Sequence, residues 1–180
     1  MRSARKIIKI ILLSIMVIVA ALFGYVLLLV SGVVYKGNAS VYSVENSEVK
    51  ADSPLKSKSI LFLGSSVTHG VGFKGTSFVE YLEKIHGVNA LKEALGGTTL
   101  VDLRTSSYIQ RLKALDRAPK YDAFICQLST NDATKKLPLG NVALDGSGSY
   151  DTSTVAGAIE EVISYVSDTW RCPIIFYTGT

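Results

Sequence analysis

Two adjacent serines that follow a predicted strand are the first residues in this sequence that could do chemistry. Ser65 and Ser66 come after the apolar run Ile60–Leu63 and a glycine. Four consecutive apolar residues are typical of a strand buried on both faces of a parallel sheet. A serine at the carboxyl end of such a strand lies where open α/β sheets bind their ligands, and its hydroxyl could act as a nucleophile. The same two serines could instead cap a turn or the next helix.

Polar motifs follow two further predicted strands in the same way. Gly96–Thr99 follows the second strand, and Ser129–Asp132 follows the third. Because the carboxyl ends of parallel strands meet at one edge of a sheet, a serine hydroxyl, glycine N–H groups and an asparagine amide would converge there. Acyl transfer needs such a set, namely a nucleophilic oxygen and donors that stabilise the oxyanion of a tetrahedral intermediate.

The three motifs resemble those of the SGNH/GDSL hydrolase superfamily and occur in the same order. The family motif G-D-S-x-T-x-G is similar to Gly64–Gly70, its glycine after the second strand is similar to Gly96–Thr99, and its G-x-N-D is similar to Ser129–Asp132. The resemblance runs from about residue 58 to residue 180. It implies a serine esterase or acylhydrolase that forms a covalent acyl-enzyme and needs no cofactor.

The same resemblance assigns roles to individual residues. Ser66 takes the position of the nucleophile. The backbone N–H groups of Ser66 and Gly97 and the side-chain amide of Asn131 take the positions of the oxyanion hole, with Gly96 as the second choice for the glycine.

The sequence departs from the family pattern at three points. Ser65 stands where the family has aspartate, and Ser129 stands where it has glycine. The family's last motif, D-x-x-H, supplies the general base and its orienting acid, and it does not occur here. His69 and His86 are poor substitutes, because His86 is expected to be exposed at a helix end and His69 is only three residues from Ser66. The sequence therefore predicts a domain that is incomplete at its C-terminus, and we expect the 180-residue chain to be inactive alone.

The elements that must position these motifs alternate between strand and helix. Further apolar runs predict strands at Tyr121–Leu128 and Cys172–Tyr177, and the short stretch Asn89–Leu95 before two glycines could form another strand. Helical spacing predicts amphipathic helices after Ser77, around Tyr108–Leu115 and after Thr154. Gly87 and the Ala118–Pro119 pair are expected to end the first two helices, and a polar functional loop is expected at Asn131–Tyr150. This alternation predicts a three-layer α/β/α, flavodoxin-like domain with a parallel sheet.

A long apolar segment precedes this domain. Ile10–Val30 contains no charged residue, and a helix of that length can cross a bilayer. The run is longer than the apolar core of a cleavable signal peptide, which favours an uncleaved signal anchor. Four basic residues precede it and only Lys36 lies close behind, so the positive-inside rule predicts a cytoplasmic N-terminus and a single-pass membrane protein with its catalytic domain outside the cytoplasm.

The sequence thus predicts a basic tail at 1–9, a transmembrane segment at 10–34, a linker at 35–57 with a loose strand at Ser40–Val44, and a partial hydrolase domain at 58–180. The net charge of +4 is explained by the basic tail, so no nucleic-acid partner is expected. Cys126 and Cys172 have no metal-ligand spacing; they are expected in the core, and no metal site is expected.

Two other functions stay open. A membrane-tethered module that binds an acylated ligand without catalysis would also explain the missing acid and base. A nucleotide-binding module is suggested by the G-x-G-x-x-G pattern at Gly70–Gly75, although that fingerprint should directly follow a strand. The favoured hypothesis is an outward-facing, membrane-anchored esterase whose partners are the membrane and a small-molecule or glycan ester, such as the O-acetyl esters of envelope glycans.

Overall fold

The computed structural model describes residues 2–143 and 148–179. Within these residues the chain forms four strands, which are β1 Ser59–Gly64, β2 Asn89–Ala94, β3 Ala123–Leu128 and β4 Ile174–Thr178. It also forms six α-helices, which are α1 Arg2–Val30, α2 Ser66–His69, α3 Phe78–His86, α4 Tyr108–Ala114, α5 Thr130–Thr134 and α6 Val155–Thr169.

The four strands form one parallel sheet in the order β2-β1-β3-β4. The central strand β1 pairs with β2 on one side and with β3 on the other, so that Leu61 lies opposite both Leu91 and Phe124. From β1 the chain adds β2 on one side of the sheet and then β3 and β4 on the other, as in flavodoxin-like doubly wound sheets. The strand at which the order reverses is called the switch point, and ligands of such sheets bind at its carboxyl end. The predicted α/β fold with a parallel sheet is confirmed, and the loop after β1 occupies that switch point.

Side chains of β1 alternate between two hydrophobic cores. Ile60 and Phe62 face the core beneath α3, which also contains Val79 and Val88. Leu61 and Leu63 face the opposite core, which is formed with residues of α4 and α6. Both faces of β1 are therefore buried, as its uninterrupted apolar run predicted. The two cysteines behave as core residues: Cys126 is fully buried and Cys172 packs against the same core, and both are free thiols.

Helix α3 is capped at both ends, of which the sequence predicted only the C-terminal cap at Gly87. The Ser77 hydroxyl accepts a hydrogen bond from the Val79 N–H (3.2 Å), and the Glu80 carboxylate accepts one from the Ser77 N–H (2.6 Å). Burial alone would raise the pKa of Glu80, but its hydrogen bonds with Lys92 and Ser77 outweigh that effect and lower the pKa. Gly87 ends the helix in the left-handed conformation. The Gly87 carbonyl at the end of α3 accepts a hydrogen bond from the Ser57 N–H, just before β1 begins, so α3 runs in the direction opposite to the strands.

Helix α1 contains a segment, Lys6–Val30, that is long and apolar enough to cross a membrane, and its side chains do not pack on the domain. The helix ends at Val30, four residues before the predicted boundary of the span. Gly32 has φ +75°, and a Cβ there would lie 2.0 Å from the Gly72 carbonyl oxygen. The Val33 N–H bonds back to the Leu28 carbonyl and the Gly32 N–H to the Leu29 carbonyl, so Gly32 ends the helix as a left-handed cap and contacts the domain at the same point.

The linker differs from the prediction. No loose strand forms at Ser40–Val44 within the described chain; instead three 3-10 turns follow one another at Lys36–Asn38, Ser40–Tyr42 and Val44–Asn46. Each turn ends at an extended residue whose N–H bonds back to the first residue of the turn, so the polar backbone is satisfied locally rather than by a neighbouring strand.

Three further details depart from the sequence-based expectations. Helix α4 ends at Ala114, because Leu115 is already extended and packs against the core, so the Ala118–Pro119 pair is not its terminus. The predicted loop at Asn131–Tyr150 begins with helix α5, and its residues 144–147 lie outside the described part. His86 is half-buried rather than exposed, because its Nδ1 atom hydrogen bonds to the Ser53 hydroxyl (2.9 Å).

Candidate active site

The loops after β2 and β3 are joined to each other across the end of β1. The Thr98 carbonyl accepts hydrogen bonds from the Ser129 hydroxyl (3.1 Å) and from the Asn131 side-chain amide (2.8 Å). Because β2 and β3 flank β1 on opposite sides, these bonds span the strand that leads to Ser66. The second and third motifs therefore meet at one edge of the sheet, where the sequence placed them.

Asp132 strengthens the same junction. Its buried carboxylate accepts hydrogen bonds from the backbone N–H groups of Leu100 (2.9 Å) and Val101 (2.9 Å). Charge-assisted bonds from two successive N–H groups fix the loop after β2 more firmly than a neutral side chain would. The aspartate of the third motif thus positions the glycine loop of the second motif, a role that the sequence analysis did not assign to it.

The first motif is fixed by side chains of β3 and β4. A Cβ on Gly64 would lie 1.8 Å from Thr68 Oγ1, so the glycine allows the two residues of the motif to touch. Thr68 Oγ1 donates to Gln127 Oε1 (2.8 Å), which also accepts from the Ser65 N–H (3.1 Å) and the Thr68 N–H (3.2 Å). Thr68 Oγ1 is also 2.6 Å from the Tyr177 hydroxyl. Since the only Thr68 hydroxyl proton goes to Gln127, the Tyr177 hydroxyl is the donor in that bond.

Ser66 lies at the first position of α2, directly after this fixed segment, and is partly exposed. Within residues 2–143 and 148–179, neither its hydroxyl nor its backbone N–H donates a hydrogen bond to another group. The carbonyl of Ser66, in contrast, accepts bonds from the N–H groups of Gly70 and Val71. The hydroxyl that the acyl-transfer hypothesis assigns as nucleophile and the N–H that it assigns as oxyanion donor are therefore both available to a bound molecule.

The two glycines after β2 have different surroundings. Gly97 has φ +78°, which L-residues with a side chain rarely adopt, and a Cβ there would meet no atom within 4 Å. At Gly96 a Cβ would lie 2.8 Å from Val71 Cγ2. Gly97 thus faces open space, whereas Gly96 packs against the loop that follows α2, which favours Gly97 over Gly96 as the donor.

The segment beneath Ser66 is buried and carries no charge at Ser65, where the family has aspartate. Ser65 and Tyr108 are fully buried. Burial raises the pKa of the Tyr108 phenol well above its ordinary value, and the opposing effect of the Ser65 hydroxyl does not compensate. Tyr108 is therefore a neutral phenol at physiological pH.

Arg111 was missed by the sequence analysis and connects three parts of the site. Its guanidinium donates to the Glu93 carboxylate (2.9 Å), to the Gly64 carbonyl (2.8 Å) and to the Thr98 hydroxyl (3.3 Å). Only 11% of the Arg111 side chain is exposed. A basic residue on an amphipathic helix normally faces solvent, so nothing in the spacing of α4 marks this one. Gln127, also missed, does carry a signal, because it is the single polar residue in an otherwise apolar strand.

No general base contacts Ser66 in the described part of the chain. His69 Nδ1 is buried and has no hydrogen-bond partner there, and no bond joins its ring to the Ser66 hydroxyl. His86 is engaged by Ser53 at the far end of α3. Among the described residues no cluster of histidine, cysteine, aspartate and glutamate could hold a metal ion. Ser66, Gly97 and Asn131 thus lie on loops at one edge of the sheet, and the described residues include no acid–base partner bonded to the serine.

We predict that Thr68→Val destabilises the protein by about 2 kcal/mol, because it removes the buried hydrogen bond to Gln127 and leaves the half-buried Tyr177 hydroxyl without its acceptor. The double variant Thr68→Val with Tyr177→Phe should recover part of this loss, since a partly buried hydroxyl without a partner costs more than its complete removal. Urea unfolding of both single variants and the double variant measures the coupling. Strictly additive effects would show that this hydrogen bond contributes nothing.

Comparison with known proteins gives a result at the level of structure alone. No protein-family model matches the sequence, and neither does any curated protein. Among solved structures, a protein from Lactobacillus plantarum is 21% identical with a TM-score of 0.57, over 69% of this chain and 57% of that one. A protein from Bacteroides ovatus named as a GDSL-like lipase is 18% identical with a TM-score of 0.54, over 69% and 74% of the two chains. Another so named, from Bacteroides uniformis, is 17% identical with a TM-score of 0.52, over 69% and 71%.

These similarities establish the fold. The chain has the α/β fold of the GDSL-like lipases, and the fold that the resemblance of its three motifs implied is confirmed. The chain spans just over half of the length of the Lactobacillus plantarum protein.

Proposed function

We propose that this chain is a serine esterase of the SGNH/GDSL type that hydrolyses ester bonds through a Ser66 acyl-enzyme. The observation that supports this most is the junction of the three loops. The hydrogen bond from the Asn131 amide to the Thr98 carbonyl spans the end of β1. Ser66 follows that strand, and neither its hydroxyl nor its N–H is bonded to another described group. Availability of a nucleophile next to unengaged donors is what acyl transfer requires.

In the proposed mechanism, Ser66 Oγ attacks the ester carbonyl carbon and gives its proton to a general base that the described residues do not include, and that base later returns the proton to the leaving alcohol. The carbonyl oxygen becomes an oxyanion, which accepts hydrogen bonds from the N–H groups of Ser66 and Gly97 and from the Asn131 amide. The C–O bond to the alcohol then breaks, the alcohol leaves with a proton, and the acyl group remains on Ser66. Water attacks the acyl-enzyme in the second half of the reaction and releases the acid.

Asn131 can serve two acceptors at once. Its amide nitrogen carries two hydrogens, and one of them is directed at the Thr98 carbonyl. That bond orients the amide plane before the substrate binds. The second hydrogen is then the one proposed to reach the oxyanion, at no further cost in side-chain ordering.

The same proposal places the protein at a membrane. Lys6–Val30 is taken as a signal anchor with the basic N-terminus in the cytoplasm, so the domain lies outside the cytoplasm. The proposed substrates are therefore acyl esters of the cell envelope, such as O-acetyl esters on glycans.

A non-catalytic, membrane-tethered binding module is the second candidate. It is favoured by one observation, which is that no histidine or carboxylate contacts Ser66 in the described part. The nucleotide-binding alternative loses support, because α2 separates the glycines of Gly70–Gly75 from the end of β1.

Hydrolysis of p-nitrophenyl acetate tests the proposal. Serine enzymes that have lost a catalytic side chain still act about 10³–10⁴-fold faster than water, through the oxyanion hole and binding, and Ser66→Ala should keep that part of the rate. Because no described residue serves as a base for Ser66, we expect only slow hydrolysis by the 180-residue chain, faster than that by Ser66→Ala by the part that passes through the acyl-enzyme. Ser65→Ala is the matched control and should keep the rate, because the Ser65 side chain is buried beside Tyr108. A Ser66→Ala variant as fast as the unmodified protein would exclude the esterase and leave the binding module.

A further inference from the structure

The chain beyond α1 is attached to the loop that follows α2. The Asn38 side-chain amide donates to the carbonyls of both Gly32 and Gly72, the second at 2.9 Å. Tyr35 stacks on Phe73 with ring centroids 5.4 Å apart. Gly32 itself is buried in this contact, where a side chain would collide with Gly72. The residues just after the proposed membrane span therefore pack directly on the domain rather than leading to it through a free linker.

The course of the linker fixes which edge of the sheet is near the span. The Tyr42 carbonyl accepts from the Tyr81 hydroxyl, the Lys50 N–H donates to the Ile85 carbonyl (2.8 Å), and the Ser57 N–H donates to the Gly87 carbonyl (2.7 Å). The linker thus follows α3 from its first half to its end and then enters β1. Because α3 runs opposite to the strands, their amino ends lie away from α1 and their carboxyl ends lie towards it.

The proposed active site is close to the end of the span by the same contacts. Gly32 is two residues beyond Val30, which is at most about 7 Å of extended chain. Val71, the neighbour of Gly72, packs at Gly96, next to the proposed oxyanion glycine Gly97. By these contacts, the carboxyl edge of the sheet, which carries the proposed active site, lies within roughly 20 Å of the end of the apolar helix.

Exposed apolar side chains surround this attachment. We call them the juxtamembrane surface, and they are Val33, Val34, Tyr35, Val71 and Phe73, each between 41% and 60% exposed. The exposed lysines Lys36 and Lys74 lie beside them in the sequence. Apolar and aromatic side chains flanked by basic residues are the composition that binds the interface of a bilayer with anionic lipids.

We propose that the juxtamembrane surface lies on the bilayer and holds the carboxyl edge of the sheet, with Ser66, towards the lipid headgroups. This proposal rests on the esterase and anchor proposed above and narrows the substrate class. The esters hydrolysed are those carried by membrane-borne molecules, such as a lipid or a glycan linked to one, rather than those on polymers remote from the bilayer. The occupant of the surface is the lipid bilayer itself, because the surface is continuous with the span.

Tryptophan quenching tests the position of the surface independently of activity. The chain has one tryptophan, Trp170, which is buried and serves as an internal reference. The full chain, carrying either Phe73→Trp or Lys120→Trp, is placed in phosphatidylcholine–phosphatidylglycerol vesicles with or without lipids brominated near the headgroup. Lys120 is exposed just before β3, at the opposite edge of the sheet. The emission added by Phe73→Trp is expected to fall by roughly half with brominated lipid, and that added by Lys120→Trp should not change.

Equal quenching at both positions, or none at position 73, overturns the proposal. A second measurement separates it from the esterase proposal. Turnover is measured for a long-chain fluorogenic ester in vesicles and for p-nitrophenyl acetate in solution. In Phe73→Ser the ratio of the first rate to the second should fall about tenfold, since the juxtamembrane surface no longer inserts into the bilayer. An unchanged ratio contradicts the membrane-facing site. If position 73 is quenched but no Ser66-dependent hydrolysis of p-nitrophenyl acetate occurs, the esterase proposal fails while the membrane-bound surface stands.

Discussion

Asn131→Ala is expected to lower kcat for p-nitrophenyl acetate by about 10²-fold, with little change in KM. The reason is that its amide acts on the oxyanion, which exists only in the transition state. The effect should be measurable even where no base assists Ser66, because the rate that survives loss of a triad comes from the oxyanion hole and binding. Steady-state kinetics of the variant and of the unmodified protein, each corrected for hydrolysis in buffer, give the ratio.

Ser129→Ala is the matched control for this prediction. It removes the other hydrogen bond to the Thr98 carbonyl (3.1 Å) and the cap of α5, but it removes no proposed oxyanion donor. We expect it to cost about 1 kcal/mol of stability and to change kcat by no more than a few-fold. If Asn131→Ala unfolds the protein, or if Ser129→Ala loses as much activity, Asn131 is a structural residue of the loop.

The sequence was sufficient to predict an element where a residue pattern is compatible with one kind of structure. The uninterrupted apolar run of β1 predicted a strand buried on both faces, which the structure confirms. The polar endings of parallel strands were expected to meet at one edge of the sheet. Ser66, Gly97 and Asn131 were placed from this logic together with the family resemblance. The roles of the three residues stay predictions, but their elements lie at the carboxyl edge of one parallel sheet.

The sequence was insufficient where a residue acts through partners far along the chain. Thr68 depends on Gln127 and Tyr177, which are 59 and 109 residues away. Gly64 is required by its contact with Thr68, a reason that no local turn preference reveals. The linker is a similar case, because its conformation is set by Phe73 and α3 rather than by its own composition.

Short helices were missed for another reason. Helices α2 and α5 have four and five residues, so their sequences show no helical period that could be recognised. Each begins directly where a strand ends, and each carries a proposed functional residue, Ser66 or Asn131, at or near its first position. Ser129 caps α5 by accepting from the Asn131 N–H (3.2 Å). The sequence analysis raised capping for Ser65 and Ser66 rather than for Ser129; Ser65 stands at the N-cap position of α2, but its side chain makes no capping bond.

Arg111→Met is expected to destabilise the protein by about 2–3 kcal/mol, which is less than the roughly 3–5 kcal/mol found for fully buried ion pairs, because the Glu93 side chain is 31% exposed. Methionine retains most of the volume of the arginine stem, so the loss comes from hydrogen bonds rather than from a cavity. Without the guanidinium, the Glu93 carboxylate loses its cation and the Gly64 carbonyl loses the donor at 2.8 Å. Urea unfolding followed by far-UV circular dichroism measures the free energy of unfolding.

Lys113→Met is the matched control, because Lys113 lies on the same helix and pairs with Glu161 at 2.6 Å. Its side chain is 44% exposed, against 11% for Arg111, so solvent screens the pair and its loss should cost at most about 1 kcal/mol. The contrast between the two variants isolates burial, since both remove one positive charge from α4. Equal destabilisation would show that Arg111 contributes only as a surface charge, and the ends of β1 and β2 would then have to be held together by their backbone bonds alone.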